Sequence, residues 1–234
     1  MKQTQTRTWA EVNLANLEHN YRALRAMLAP GCRFLGVVKA NAYGHGAVQV
    51  AQRLERLGAE YLAVACLDEA LELRQAGVRL PILILGYTPV ERGGELLEGE
   101  ITQTVYDLES ARALSRLAEA AGKPLKIHIN ADTGMSRLGW LCDEAHRAES
   151  VDAICQVCAL PGLEPEGIYT HFANADSDED YTMLQFTRFL DLLEVLKERG
   201  LTFPIRHCAA SAAVLRYPCT YLDMVRPGIA LYGH

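Results

Sequence analysis

Lys39 closes an apolar run, Phe34-Leu-Gly-Val-Val-Lys39, and is the first residue in the chain whose surroundings suggest chemistry. Desolvation disfavours an ammonium, and the free amine it yields can condense with an aldehyde to form a Schiff base. Alone, such a lysine is ambiguous, because its stem can also snorkel to a rim while the head stays in water. A second cluster lies far along the chain. Ser211 opens the helical stretch SAAVLR, and Arg226-Pro227-Gly228-Ile229-Ala230 follows it. A hydroxyl at a helix start and exposed N–H groups in a glycine turn are donors that suit an anion, phosphate above all. Between these clusters stand Tyr43, Asn130, Asp132, Arg137, His171 and Asn174.

For these groups to meet, the chain must carry them to one end of a common scaffold. Short β-branched or apolar runs recur at 34–39, 61–66, 82–85, 102–106, 125–130, 167–172, 205–209 and 222–225. Longer stretches with helical spacing separate them, among them 47–57, 67–76, 108–121 and 181–199. Gly58, Gly77, Gly122 and Gly200 stand where those helices should stop, glycine being the residue that accepts a left-handed C-terminal turn. Asn13 is placed to cap an amphipathic helix running to Met27. Strict β-then-α alternation implies parallel strands with right-handed crossovers, and eight units predict an α/β fold, a closed (β/α)8 TIM barrel. A doubly wound open sheet is the alternative, but no GxGxxG follows the first strand. In a parallel barrel the strand ends carrying Lys39, Arg137, His171, Ser211 and Arg226 face one mouth. An amine on one side and a phosphate cradle on the other match the aldehyde and phosphate ends of pyridoxal 5'-phosphate.

Composition narrows the function classes. The chain has 234 residues, of which 50% are hydrophobic, with 23 basic and 29 acidic side chains and a formal charge of -6. A chain of that size can bury roughly 70% of its unfolded surface, which is enough for one large core without staples. Mild acidity offers no basic face to nucleic acid or to an anionic membrane, so neither is assigned as a partner. The N-terminus lacks the apolar run of a signal peptide, and the stretches LAVAC and PILILG are too short to span a bilayer, which reads as cytoplasmic. The 7 scattered cysteines fit reduced thiols in such a compartment. Cys155 and Cys158 form a CxxC, but no second pair completes a four-ligand set, so they read as part of a buried helical face and no metal is assigned.

With these residues in hand, the sequence resembles the pyridoxal-phosphate barrel domain of bacterial alanine racemases. VVKANAYGHG, ADTGMSRLGW, YTHFANAD and RPGIALYG carry the resemblance, in the family's order, and it covers essentially all of residues 1–234. The resemblance implies that Lys39 is the Schiff-base lysine and an acid/base on one face of the substrate. It implies that Tyr43, Ser211, Gly228 and Ile229 contact the phosphate, the last two through backbone N–H groups. By the same resemblance Arg226 faces the pyridine nitrogen, His171 links to that arginine, and Arg137 lies near the phenolic oxygen and the substrate carboxylate. A guanidinium donates a hydrogen bond without protonating the ring, which moderates the electron sink.

Two residues depart from the family's usual pattern. Asn130 stands where many members hold a carbamylated lysine, and it is expected to hold Arg137 by a hydrogen bond, with a bound anion such as chloride as a secondary reading. Ala210 stands where asparagine usually precedes the phosphate serine. Family racemases also continue into a β-structured domain that supplies the opposite-face tyrosine to a partner subunit. On that reading the chain is an N-terminal domain without its C-terminal β domain, poorly active alone, from a homodimeric parent that makes D-alanine for peptidoglycan. The rivals are a serine racemase of the same fold, a single-domain pyridoxal-phosphate carrier, and a barrel without any cofactor. KANAYGHG together with DTGMSR favours the racemase over the carrier.

Overall fold

The computed structural model describes residues 8–233; the first seven residues, part of the stretch read for a leader, lie outside the described residues. After helix α1 (Leu14–Ala26) the chain alternates strand and helix: β1 (Arg33–Val37), α2 (Ala47–Leu57), β2 (Tyr61–Val64), α3 (Leu67–Gln75), β3 (Ile82–Ile84), α4 (Gly93–Glu98), β4 (Ile101–Val105) and α5 (Leu108–Ala121). The second half continues with β5 (Leu125–Asp132), α6 (Arg147–Cys158), β6 (Leu163–Tyr169), α7 (Glu179–Glu198), β7 (Ile205–His207), α8 (Ser211–Arg216) and β8 (Met224–Val225). A two-residue ladder, Trp140–Leu141, pairs only with β5.

All strand pairings are parallel, and the spatial order is β7-β6-β5-β4-β3-β2-β1-β8. The two ends meet. The Arg226 N–H donates to the Ala209 carbonyl at 2.8 Å, the Asp223 N–H to the Arg206 carbonyl at 3.1 Å, and Ala210 bridges Arg226 in parallel. The expected (β/α)8 barrel is therefore the observed fold.

Strand alternation divides the apolar residues between two layers. Leu35, Val37, Tyr61, Ala63, Leu83, Ile205 and Met224 pack together inside the barrel. Their neighbours Phe34, Leu62, Val64, Ile82 and Ile84 join the larger core beneath the helices. Helices earn their faces by spacing: α5 buries Ala111, Leu114, Ser115 and Ala118, a stripe at three- and four-residue intervals. Asp107 caps α5 by accepting the Ser110 N–H at 2.7 Å, and Gly122 ends it in the left-handed region. Asn13 caps α1 as expected, taking the Ala15 and Asn16 amides, and Leu17, Tyr21 and Leu24 are buried. Tyr21 packs edge-on against Phe34 at 4.6 Å, which ties α1 to β1.

Several expectations need correction at their ends. The first strand stops at Val37 rather than Lys39, and the last begins at Met224 rather than Leu222. Cys155 and Cys158 are free thiols on α6, half-buried against the core, so the helical-face reading matches their placement. Among the described residues, no helix is long and apolar enough to cross a membrane.

Candidate functional site

Lys39 sits two residues past β1, at the start of a turn in which Ala40, Asn41, Ala42 and Tyr43 all adopt left-handed angles, φ between 51° and 53°. Each such non-glycine residue costs about 1–2 kcal/mol relative to a right-handed one, so the surroundings must hold the turn in place. They do so with one side chain from α3 and one from the turn itself. Glu69 on α3 accepts the Ala40 N–H with Oε1 and the Ala65 N–H with Oε2, both at 2.7 Å. Asn41 Oδ1 accepts the Ala47 N–H at 2.8 Å, capping α2, and the Ala42 N–H returns to the Val38 carbonyl at 2.8 Å. Ala42 is fully buried, while Lys39 is half-buried. The turn thus fixes where the amine and the Tyr43 phenol enter the barrel mouth.

Opposite lies Ser211. Its Oγ accepts two backbone N–H groups, from Gly228 at 2.9 Å and from Ala230 at 3.1 Å. A hydroxyl that accepts twice keeps its own proton for donation, so this oxygen is oriented as a donor. The Gly228 amide, expected to reach an anion directly, is engaged by Ser211 here. Gly228 leaves room for the Tyr43 hydroxyl: a Cβ there would lie 2.7 Å from Tyr43 Oη and 3.5 Å from Val37 Cβ. Ile229 beside it is half exposed. Ala210 precedes α8 and provides no side-chain cap, the consequence of the missing asparagine.

Arg226 forms the floor. It is buried, donating from Nη1 to His207 Nδ1 at 2.8 Å and from Nη2 to the Thr170 carbonyl at 2.9 Å. Nη2 also lies 3.3 Å from His171 Nδ1, and the guanidinium carbon stands 5.1 Å over the Tyr169 ring. Burial first, then the charges of Arg226, Arg137 and Lys39, push the His171 imidazole down to about 3, so it is neutral at ordinary pH.

Arg137 is exposed on a loop that Asp132 folds, its Oδ1 taking the Gly134 and Ser136 amides at 2.9 and 3.0 Å. A Cβ at Gly139 would lie 2.7 Å from the Asp132 nitrogen, so the loop closes tightly on β5. Asn130 is buried at the end of β5, and it makes no hydrogen bond with Arg137; the expected tether is absent because the loop turns on Asp132 instead. Asn174 serves its own loop, accepting from the Ser177 hydroxyl.

All eight expected site residues line one cavity of about 560 Å³: Lys39, Tyr43, Arg137, His171, Ser211, Arg226, Gly228 and Ile229. That volume suits a cofactor with a small substrate. Lys39, Tyr43 and Ser211 can hold an aldehyde-bearing anion, and Arg226 can address whatever ring lies between. Sequence reasoning missed Glu69, Tyr169 and His207. The last two had a signal, since a polar residue inside an apolar strand of a barrel must find a partner across the interior. Among the described residues, no group of three His, Cys, Asp or Glu side chains is arranged to hold a metal ion.

The sequence model of the family described as "Alanine racemase, N-terminal domain" matches residues 12–234. The alanine racemase of Desulforamulus reducens is 50% identical over 226 residues, covering 96% of this chain and 60% of the relative. That of Methanococcus maripaludis is 48% identical, again covering 96% of this chain and 60% of the relative. Among solved structures, alanine racemase from Clostridium difficile in complex with cycloserine superposes with a TM-score of 0.95 at 42% identity, covering 99% of this chain and 63% of that one. The chain spans about 60% of the length of the curated relatives it matches. A match over nearly the whole chain, and a barrel that superposes throughout, place this protein in the alanine racemase family, in the stretch that forms the family's N-terminal domain.

Proposed function

We propose that residues 1–234 form the cofactor-holding domain of a pyridoxal-phosphate-dependent alanine racemase, interconverting L- and D-alanine in the cytoplasm for peptidoglycan synthesis. The observation that carries this reading is the placement of Lys39, the Ser211–Gly228 cluster and the Arg226–His171 pair on three sides of one cavity. The cofactor, when bound, supplies an aldehyde that condenses with amines and a ring that takes up the electron pair left at the substrate α-carbon.

The chain's own residues do the rest. The Tyr43 and Ser211 hydroxyls and the Ile229 amide hold the phosphate, and Gly228 lets it approach. Arg226 would donate toward the ring of the bound cofactor while remaining a guanidinium, which would keep the electron sink weak. Neutral His171 adds no charge beside it. With the cofactor bound, Lys39 would take and return the substrate's α-proton at its Nζ on one face. Arg137 faces the substrate carboxylate, and an anion such as chloride between it and Asn130 would fix an arginine that Asn130 does not touch. Racemisation needs a second acid/base on the opposite face. We place that group in the further length of the relatives, in a homodimeric parent, so that this chain alone is a poor racemase.

Titration with pyridoxal phosphate tests the reading. Wild type is expected to become yellow through a borohydride-reducible link, and Lys39→Ala to lose the band and the link together. A reducible link that persists in Lys39→Ala sinks the assignment. Turnover by this chain at the rate of a full-length relative sinks the claim of a missing second base.

A further inference from the structure

Beneath the cavity, Arg226 heads a line of polar side chains in the barrel interior, and the proposed chemistry does not use the others. Arg226 Nη1 lies 2.8 Å from His207 Nδ1, His207 Nε2 lies 2.9 Å from His128 Nδ1, and His128 Nε2 lies 3.4 Å from Glu166 Oε2. The direction of every link follows from one fact: a guanidinium donates and does not accept. His207 Nδ1 is therefore an acceptor, and a neutral His207 carries its proton on Nε2. That proton points at His128 Nδ1, so His128 carries its own on Nε2 and donates it to the Glu166 carboxylate. Both rings are fully buried, and burial, the largest influence on each, holds them below the ordinary histidine range.

The far end is anchored. Glu166 also accepts the Tyr61 hydroxyl at 2.6 Å and the Lys126 ammonium at 2.7 Å. Burial alone would raise its carboxyl, but the bonds from His128, Lys126 and Tyr61 outweigh that and hold it at about 2. The backbone makes room for the relay. A Cβ on Gly167 would lie 2.6 to 2.9 Å from three atoms of the His128 ring, and the β5–β6 register shifts between Ile127 and His128. At the near end, the hydrogen bonds of Arg226 all go to neutral acceptors: two imidazoles and the carbonyls of Thr170 and Cys208. A buried guanidinium in such company needs a counter-charge.

We infer that Glu166 is that counter-charge, a positioning residue that acts through His128 and His207 to fix which N–H groups Arg226 presents to the cavity. Its effect on a ligand rests on the pyridoxal-phosphate reading above; the relay itself does not. In the protein without added cofactor, side-chain nitrogen NMR should find His128 and His207 neutral, each protonated at Nε2, with the His128 Nε2–H protected from exchange. Glu166→Gln keeps an acceptor oxygen but removes the charge. It should move the His207 and Arg226 side-chain resonances and weaken pyridoxal phosphate binding roughly threefold or more. Lys126→Met strips an outer partner while leaving Glu166 charged, and should leave both resonances in place. An Nδ1-protonated or charged His128 or His207 in wild type overturns the relay, whether or not Glu166→Gln folds. So do Arg226 resonances that Glu166→Gln leaves unmoved. Resonances that respond in a wild-type protein that fails to bind pyridoxal phosphate would uphold the relay and sink the cofactor assignment.

Discussion

Gly228 faces Tyr43 so closely that one methyl group tests whether the phenol is part of the anion site. An alanine Cβ would stand 2.7 Å from Tyr43 Oη but 3.4 Å from Cζ, so only the hydroxyl must move. The far end of a side chain yields at little cost to the fold, and the damage falls on whatever the hydroxyl binds. Gly228→Ala should therefore weaken pyridoxal phosphate binding about tenfold, about 1.4 kcal/mol, while the melting temperature barely changes. In a Tyr43→Phe background the clash is gone, and the same substitution should add less than about 0.5 kcal/mol. Strictly additive effects in this double-mutant cycle would separate Tyr43 from the anion site. Lys39, Tyr43, Arg137, His171, Ser211 and Arg226 were legible in the sequence because each carries a polar group that bulk packing does not need. Glu69 was not, since nothing in its local sequence separates a carboxylate that straps a distant turn from one on a solvated helix face.

Most strands and helices were legible through period, and among the elements that period missed is the turn that aims Lys39. Four consecutive left-handed residues without a glycine among them leave no compositional trace, so the reading carried the first strand through to Lys39. Tertiary bonds hold this turn, and Glu69 ties it to the end of β2, accepting the Ala40 amide with one oxygen and the Ala65 amide with the other. Glu69→Ala strands the Ala40 and Ala65 amides, a loss of about 1–3 kcal/mol. Glu69→Gln has one oxygen left to accept and should cost roughly half as much. Hydrogen exchange localises the effect: the Ala42 amide, bonded to the Val38 carbonyl, should lose protection in both variants while amides of α5 keep theirs. Lys39 should also capture pyridoxal phosphate more slowly in Glu69→Ala. Unchanged protection at Ala42 would show that the turn stands without its strap.

Two imidazoles lie inside this barrel and a third lines its mouth, and the whole molecule should register them in acid. His128, His171 and His207 titrate near 6.5 when unfolded and lower when folded, His171 at about 3, with burial the leading cause for each. Below the unfolded value the unfolded chain binds protons that the native one refuses, so stability falls as pH falls. Each histidine contributes up to about 1.4 kcal/mol per pH unit between its unfolded and its folded value, so the three together set an upper bound of about 4 kcal/mol per unit. Glu166 acts in the same sense lower down. Its folded value of about 2 lies under the ordinary 4.5, so the stability it contributes is complete above that range and drains away as pH drops through it. A domain with about 5–15 kcal/mol to lose should then unfold in acid, with net proton uptake. Urea unfolding of the protein without added cofactor, repeated between about pH 7 and 5, measures that slope through the linked shift in free energy. A slope worth less than one proton, with the fold intact below about pH 3, would mean that the imidazoles charge inside the barrel, and the one-directional order of donors that runs from Arg226 to Glu166 would be lost with them.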